Sequence, residues 1–529
     1  MKKIISTVLV LAMLLSLCSC GATGKDTRLT MGILNTITNL DPLAASGDGE
    51  KIIATNCFEG LLRFDSKGKI DMGGATAYSI SKDGLTYVFK LNPLAKWYVS
   101  DEVKATLDTV GIEKFDNKIT AEDYIYGITR FIKSSNTALS SIKGASKYDP
   151  DDKNSTLGIK AIDEYTLEIT LEKVDPDFLY KLAANPVYPC DSVLAEALDS
   201  IFCSTTATIL CNGPYYIKEV TESESILERN PDYKGKLQIS NGSILLYTTG
   251  KRNTLATRFE EGQYDIYLTP STYRLSESTT AFTSTSSIWG FAFNCNSNVG
   301  SIAGLRDILL SSVDYSKIAL PVFATSKAER IIPGVYNVGD TSYASFSPQK
   351  LSYTKDTKRA TENLDKLLDK MDREAFTVKL AIPNDMEKTV EPIIAAWETL
   401  FEEKIFIDLR TFDVKDASKV ASEGSYDLAI LPITPSKRTA AGVIDAVSGA
   451  PCYYTDKKIT ALKSQTKASA EENAANYSKM EKLIVDNGVF VPLFYASNDL
   501  YLGTGVSGVY IADGGRLIYL HSGAKVTEK

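Results

Sequence analysis

Residues able to form a catalytic centre are sparse in this sequence. The 529-residue chain has a single histidine, His521. A Ser-His-Asp or Cys-His catalyst needs a histidine beside its nucleophile, and a His-rich zinc site needs several. Carboxylate pairs, which glycosidases use, are present, but no particular pair is indicated. We therefore expect a protein that is not an enzyme, with no catalytic residues, metal site or cofactor. An extracellular hydrolase stays as an alternative.

Two short motifs have a structural rather than a chemical explanation. Ser-x-x-Lys occurs at 79–82 and 140–143, but the companion motifs of a serine acyl-enzyme are missing. Gly503, Gly505 and Gly508 fit Gly-x-Gly-x-x-Gly, yet Val-Tyr-Ile at 509–511 predicts a strand. A dinucleotide site needs a helix N-terminus there to bind the pyrophosphate. Neither motif therefore indicates an active site.

The charge balance excludes nucleic acid as a partner. The chain has 58 Lys and Arg against 66 Asp and Glu, a net charge of −8. Nucleic-acid binding needs a basic surface that displaces counterions. Hydrophobic residues make up 44% and charged residues 23%, the mixture of a folded protein, and the length predicts two to four domains.

The N-terminal segment predicts export and a lipid anchor. Lys2 and Lys3 precede a short apolar stretch, as in a signal peptide. Leu17, Ser19 and Cys20 resemble a bacterial lipobox, so we expect a signal peptide at 1–19, lipid on Cys20 and a tether at 20–28. Removing the signal peptide takes away two lysines and no acid, which changes the net charge from −8 to −10. The body is then extracytoplasmic and anchored to the cell membrane.

Six further cysteines leave two possibilities open. An even number in an exported protein permits up to three disulfides, while buried thiols are the alternative. Sequence does not assign their pairing. They are Cys57, Cys190, Cys203, Cys211, Cys295 and Cys452.

Periodicity predicts a mixture of strands and helices. Alternating apolar residues predict strands at Leu29–Leu34, Thr86–Leu91, Ile159–Ile162 and Tyr165–Leu171. Stripes of apolar residues predict helices at Thr120–Lys133, with Thr120 as N-cap, and at Lys358–Met371, Pro392–Phe401 and Glu471–Val485. The class is therefore α/β or α+β.

A series of phrases in a fixed order resembles one family. Examples are Leu-Asp-Pro at 40–42, Phe-Glu-Gly-Leu-Leu at 58–62, Thr-Ala-Glu-Asp-Tyr at 120–124, Asn-Gly-Pro-Tyr at 212–215, Arg-Asn-Pro-Asp-Tyr at 229–233 and Val-Pro-Leu-Phe-Tyr at 491–495. Together they resemble the family 5 extracellular solute-binding proteins, the oligopeptide- and dipeptide-binding receptors of ABC importers. The resemblance covers nearly the whole mature chain.

The resemblance implies a fold and a set of partners. The expected fold is an α/β, periplasmic-binding-protein-like (type II, cluster C) clamp of two lobes with an extra domain. Lobe I would comprise 29–57, 190–286 and 503–529, the extra domain 58–189 and lobe II 287–502. The partners would be a small solute, foremost a peptide, and the permease subunits of an ABC importer. We expect a monomer.

Two departures leave the ligand open. Peptide-binding members carry an aspartate for the peptide's α-ammonium group, and Ser436 stands at the matching position here. Either another acid, such as Asp48, takes that role, or the ligand is a non-peptide solute such as a sugar or a metal chelate. Residues 98–119 are an insertion for which we expect an extended surface loop, with a cover over part of the cleft as the alternative. A binding or signalling lipoprotein of the same fold is a further alternative.

Ten residues are candidates for lining the ligand cleft. They lie after the first strand, after Asp265, in the expected crossover strand and across the cleft. Aromatic and polar groups of this kind are common in ligand sites. The candidates are Asn35, Thr36, Ser46, Asp48, Thr269, Tyr273, Trp289, Phe291, Thr434 and Ser436.

Overall fold

The computed structural model describes residues 27–525, except 113, 135–136, 153, 274, 276–280, 340, 352–354 and 468. The predicted signal peptide, Cys20 and most of the tether lie outside the described residues. Within the described ranges, no helix combines the length and the apolar character that a membrane span requires.

Strands and helices alternate along the chain. The strands are β1 Arg28–Ile33, β2 Leu62–Phe64, β3 Ile70–Met72, β4 Ala75–Ile80, β5 Thr86–Leu91, β6 Ile159–Asp163, β7 Thr166–Thr170, β8 Tyr215–Val220, β9 Glu224–Arg229, β10 Ser243–Thr248, β11 Ile266–Pro270, β12 Phe282–Phe293, β13 Ser326–Lys327, β14 Asn337–Val338, β15 Thr341–Ser342, β16 Phe376–Pro383, β17 Ile405–Phe412, β18 Leu428–Ile433, β19 Phe490–Leu502, β20 Val506–Ser507, β21 Tyr510–Ala512, β22 Leu517–Tyr519 and β23 Ala524–Lys525. The helices are α1 Asp48–Cys57, α2 Asp101–Thr109, α3 Ala121–Lys133, α4 Phe178–Ala184, α5 Ser192–Leu198, α6 Arg252–Glu260, α7 Ala303–Ser311, α8 Thr357–Met371, α9 Glu387–Phe401, α10 Ala417–Glu423, α11 Ala440–Ala446, α12 Lys457–Ser464 and α13 Ala470–Asp486.

One large mixed sheet organises most of the chain. Its strand order is β17-β16-β18-β12-β19-β11-β1-β10-β9-β8, with β13 added beside β19. Strands β12 and β19 are the two longest strands and pair with each other antiparallel along most of their length. Beyond this pair, β19 continues to β11 and β12 continues to β18. The two halves of the sheet are therefore joined through two adjacent crossing strands.

A separate four-stranded sheet, in the order β4-β5-β7-β6, forms a second layer. Its inner face is the alternating row that periodicity predicted, because Tyr87, Phe89 and Leu91 of β5 are buried. Helix α3 packs against this sheet and begins as predicted. The Thr120 amide donates to Asp123 Oδ2 at 2.7 Å, which satisfies one of the free N–H groups at the helix start.

The hydrophobic core is divided in the same way. One cluster surrounds the four-stranded sheet and includes Phe89 and Phe131. A second lies under β1 and β10, and a third surrounds β16, β18 and the end of β12. Each sheet half thus has its own apolar core, which is the condition for the halves to move as separate units.

The insertion at 98–119 is not an extended loop, contrary to our expectation. Residues 101–109 form α2, whose N-cap Ser100 accepts a hydrogen bond from the Val103 amide at 3.1 Å. Val103 and Leu107, one turn apart, are buried in the core of the four-stranded sheet. The sequence 101–109 has the helical spacing of a half-buried helix, and this apolar stripe overrides the loop interpretation.

The start of α9 also differs from prediction. We expected Pro392 in the first turn, but the helix begins at Glu387 and contains Pro392 in its interior. A turn at Asn384–Met386 leads directly into the helix and starts it earlier. Inside the helix, Pro392 has no N–H and therefore removes one backbone hydrogen bond. The side chains of Val390, Trp397 and Phe401 on the same helix are buried in the core.

The structure also bears on the cysteines and on the glycine motif. All six cysteines are free thiols, five of them buried and Cys295 half-buried, so the structure corresponds to the second of the two alternatives left open above. Gly503, Gly505 and Gly508 lead into β21, a strand, as predicted.

Candidate functional site

A first cavity lies at the carboxyl ends of the parallel strands β1 and β11. Ligands of open α/β sheets bind at this edge, because side chains from several loops meet there. The cavity has a volume of about 260 Å³. Its walls come from the end of β1, the start of α1, the end of β11 and the segment after β21. Its polar lining residues are Asp48, Lys51, Arg252, Thr269, Asn498 and Arg516.

A second and larger cavity, of about 630 Å³, lies on the other side of residues 513–516. Asp513 and Gly514 line this cavity, while Gly515 and Arg516 line the first. The second cavity is bounded by the first half of β12, by residues near β14 and β15, and by the loop between β2 and β3. Its charged and hydroxyl-bearing residues include Lys67, Lys69, Tyr180, Thr283, Ser284, Thr285, Ser342, Ser345, Arg438 and Asp513.

Three distant parts of the chain meet at the wall between the cavities. The Tyr180 hydroxyl donates to Asp513 Oδ1, and Arg516 forms an ion pair with the same carboxylate. The Arg438 amide in turn donates to the Tyr180 oxygen at 2.8 Å. Burial raises the pKa of the Asp513 carboxyl, and Arg516 and Tyr180 oppose that rise. The Asp513 carboxyl is therefore held at the junction by one phenol and one guanidinium.

Arg438 is a buried cation that lines the larger cavity. Its side chain is 8% exposed, its Nη1 donates to the Pro435 carbonyl at 2.6 Å, and its guanidinium lies 5.9 Å from the centre of the Tyr336 ring. Its Nε has no hydrogen-bond partner among the described residues. Buried donors of this kind are costly when unpaired. The residue lines the larger cavity, where its guanidinium can meet a ligand.

Gly514 makes room for Arg438. The residue has φ +70°, in the left-handed region that favours glycine, and a Cβ atom there would lie 2.1 Å from Arg438 Nε. Both the backbone conformation and the close approach of the guanidinium therefore require glycine at this position.

Tyr273 lies between cations from two halves of the sheet. Arg252, the first residue of α6, and Lys415, which follows β17, each lie 4.8 Å from the centre of its ring. A tyrosine face attracts cations because of its quadrupole. Since β11 and β17 lie on opposite sides of the β12–β19 pair in the sheet order, Tyr273 connects the two halves beside the smaller cavity.

The predicted lining residues divide into three groups. Asp48 and Thr269 line the smaller cavity, and Tyr273 contacts the Arg252 side chain that lines it. Asn35, Thr36 and Ser46 are exposed in the loop between β1 and α1, where the Ser46 hydroxyl and amide donate to Glu50. Thr434 and Ser436 are exposed in the segment after β18, shortly before Arg438.

Trp289 and Phe291 lie in the hydrophobic core rather than on a cavity wall. Trp289 is 3% and Phe291 0% exposed, and the Trp289 ring packs 4.6 Å from that of Phe323. Both belong to the cluster under β16 and β18. Their position on β12 was expected, but the strand turns these two side chains inward, so we assign them to the scaffold.

Sequence reasoning missed Tyr180, Arg252, Arg438 and Asp513. These residues lie far apart along the chain, and none belongs to a motif. The one available signal was the Asp-Gly-Gly sequence at 513–515, which is typical of a tight turn. It marks the segment that separates the cavities but says nothing about which side chains approach it.

Comparison with known proteins places the chain in a family. The family described as bacterial extracellular solute-binding proteins, family 5 Middle, matches residues 69–449. The oligopeptide-binding protein AmiA of Streptococcus pneumoniae is 27% identical over 248 residues, which are 44% of this chain and 36% of AmiA. The dipeptide-binding protein of Lactococcus lactis is 27% identical over 274 residues, 51% of this chain and 48% of the relative. The matched segments thus span a third to a half of these relatives.

Another relative aligns over more of its length. The oligopeptide-binding protein OppA of Bacillus subtilis is 26% identical over 405 residues, which are 70% of each chain.

Solved structures share the whole architecture. The unliganded open form of the murein tripeptide binding protein MppA superposes with a TM-score of 0.73 at 18% identity, covering 96% of this chain and 98% of MppA. Listeria monocytogenes OppA bound to peptide superposes with a TM-score of 0.62, also at 18% identity, covering 96% of this chain and 100% of that one. At these identities the likeness establishes the fold, a two-lobed type II clamp.

Proposed function

Because the chain belongs to family 5 of the bacterial extracellular solute-binding proteins, we propose that it is an extracytoplasmic receptor that captures an oligopeptide and delivers it to the permease of an ABC importer. The observation that carries this proposal is the pair of cavities beside the crossing strands β12 and β19, of which the smaller lies at the carboxyl ends of β1 and β11. Relatives named as oligopeptide- and dipeptide-binding proteins support the choice of ligand.

The crossing strands are the proposed hinge. They are the two long strands that join the halves of the sheet, so a small change of their backbone angles moves one half against the other. We assign lobe I to 29–57, 190–286 and 503–529, the extra domain to 58–189 and lobe II to 287–502. Closure would bring Tyr273 and its two cations, together with Arg438, around the solute.

The first experiment identifies the ligand without assuming it. The protein is purified under native conditions, and any co-purifying molecule is identified by mass spectrometry after denaturation. We expect oligopeptides. A sugar or a metal chelate in place of peptides would overturn the peptide assignment and keep the receptor role. Turnover of a bound peptide or glycoside by pure protein would instead support the hydrolase alternative.

The second experiment separates transport from signalling. Deletion of the chromosomal copy should abolish uptake of the identified solute, and the wild-type copy should restore it. Uptake that continues in the deletion strain, with binding intact in the pure protein, would favour a binding or signalling lipoprotein of the same fold.

The anchor is proposed from the sequence, since Cys20 lies outside the described residues. We expect Cys20→Ala to move the protein from the membrane fraction to the soluble or secreted fraction. The matched control is Cys18→Ala, which removes a neighbouring thiol and should leave the protein membrane-bound. Membrane retention of the Cys20 variant would contradict the lipid anchor.

A further inference from the structure

The walls of the two cavities carry positive charge, although the protein as a whole is acidic. Among the described residues, the acidic side chains of these walls are Asp48 and Asp513, and the cations are Lys51, Lys67, Lys69, Arg252, Arg438 and Arg516. Six cations against two acids give these walls a net charge of +4, whereas the chain has a net charge of −8. Clefts lined by one sign of charge concentrate ligands of the opposite sign.

The acids do little to neutralise this charge. Asp513 is already held by the Tyr180 hydroxyl and by Arg516. Asp48 stands in the first turn of α1, where the free N–H groups of the helix favour an anion. Apart from Arg516, none of the six cations forms an ion pair with a described residue.

Two of these cations, Arg438 and Arg252, and the nearby Lys415 are placed by contacts that leave their charge available. Arg438 is buried with its Nε unpartnered among the described residues. Arg252 and Lys415 share the face-on contact with Tyr273, and neither forms an ion pair within the described part of the chain. An aromatic ring attracts a cation less strongly than a carboxylate does, so an anionic ligand can add its own ion pairs at both places.

The remaining polar wall suits the same kind of ligand. Thr283, Ser284 and Thr285 of β12 and Ser342 and Ser345 opposite present hydroxyl groups to the larger cavity. The Thr283 hydroxyl donates to Asp499 Oδ1, and one of the Ser342 and Ser345 hydroxyls donates to the other. The hydroxyls of Ser284 and Thr285 and the remaining serine hydroxyl can each donate one hydrogen bond to a carboxylate oxygen. Ser436 is neutral and cannot form an ion pair with an ammonium group, which agrees with a preference for anionic ligands.

We propose that this cleft selects oligopeptides with net negative charge, rich in Asp and Glu. The inference rests on the proposed function and specifies its ligand. Their side-chain carboxylates would pair with Arg438 in the larger cavity and with Arg252 and Lys415 beside the smaller one. The ligand's α-ammonium group is not the main anchor.

The test compares three hexapeptides of the same length and backbone, Ala-Glu, Ala-Gln and Ala-Lys repeated three times, by calorimetry on the ligand-free protein. We expect the Glu peptide to bind at least about tenfold more tightly than the Gln peptide and the Lys peptide to bind most weakly. Raising the ionic strength from about 20 mM to about 500 mM should reduce that preference. Equal or tighter binding of the Gln or Lys peptide overturns the inference and leaves the receptor role intact. Failure of all three peptides to bind, while the co-purified solute proves not to be a peptide, overturns both.

Substitutions test which cations cause the preference for the Glu peptide. Arg252→Gln combined with Lys415→Gln should weaken the Glu peptide by about fivefold per cation removed and leave the Gln peptide nearly unchanged. Lys67→Gln with Lys69→Gln should act similarly from the other cavity, without touching the buried Arg438. The matched control is Lys366→Gln with Lys370→Gln on the exposed face of α8, which removes the same charge elsewhere. Equal loss in the control, or equal loss for both peptides, would overturn the assignment of these residues.

Discussion

The backbone N–H of Arg438 donates to the hydroxyl of Tyr180 at 2.8 Å, although the two residues are 258 positions apart. The same hydroxyl donates to Asp513, from the C-terminal part of the chain. One phenol therefore joins the helix α4, the segment after β18 and the turn after β21. Arg438 lines the larger cavity, so this bond also sets the position of a proposed ligand-binding cation.

Tyr180→Phe should destabilise the protein and weaken ligand binding. The change leaves the Arg438 amide and one Asp513 oxygen without their partner in a buried place, which costs about 2 kcal/mol of the free energy of unfolding. Urea unfolding followed by circular dichroism measures this. Tyr165→Phe is the control, because that hydroxyl bonds exposed Glu164 and its loss should have little effect. Equal stability of the two variants would contradict a structural role for the junction.

Gly514→Ala should be more harmful than another alanine in the same backbone conformation. Gly514 and Gly262 have φ of +70° and +73°, but a Cβ meets Arg438 Nε only at Gly514, since nothing lies within 4 Å of the position at Gly262. We expect Gly262→Ala to cost about 1 kcal/mol in free energy of unfolding through backbone strain alone. Gly514→Ala should cost more and should also weaken ligand binding, because Arg438 must move. Normal ligand affinity in Gly514→Ala would contradict the placement of Arg438.

Glu481 should make stability fall with rising pH. Burial raises its pKa to about 7, against the opposing hydrogen bonds from the Ile332 amide and the Tyr343 hydroxyl. An acid with a raised pKa in the folded state stabilises the fold fully at pH below its unfolded value, about 4.3, and loses that contribution as pH rises through about 7. The loss is about 4 kcal/mol.

Glu481→Gln should therefore gain stability relative to wild type as pH rises from about 5 to about 8, as measured by urea unfolding at each pH. Glu471→Gln, on the exposed face of the same helix α13, is the control and should follow the wild-type profile. A constant difference between Glu481→Gln and wild type across that range would show that Glu481 does not titrate as described.

His521 should remain neutral well below pH 6. Burial, followed by the charge of Arg63, lowers its pKa to about 4. A base with a lowered pKa stabilises the fold above its unfolded value of about 6.5 and loses that contribution as pH falls towards about 4. Because His521 is the single histidine, its ring-proton NMR signal in untagged protein is unambiguous. The signal should stay constant from pH 8 to about 5, and a midpoint near 6.5 would contradict its burial.

Local patterns predicted much of the fold because they depend on neighbours along the chain. The strand at Thr86–Leu91 follows from alternation, and the start of α3 follows from the spacing of Thr120 and Asp123. The insertion and Pro392 were interpreted wrongly. In both places, apolar side chains with helical spacing pack into a hydrophobic core, and this packing favours a helix more strongly than the neighbouring residues favour a loop or a later helix start.

The sequence by itself determined the α/β class and the family resemblance, since each depends on composition or on order along the chain. Only the tertiary structure decided that Trp289 and Phe291 face the core, that Arg252, Arg438 and Asp513 line two cavities, and that Lys415 contacts Tyr273 beside the smaller one. The reason is physical: these contacts join residues hundreds of positions apart, and the packing of separate cores, rather than any spacing along the chain, brings them together.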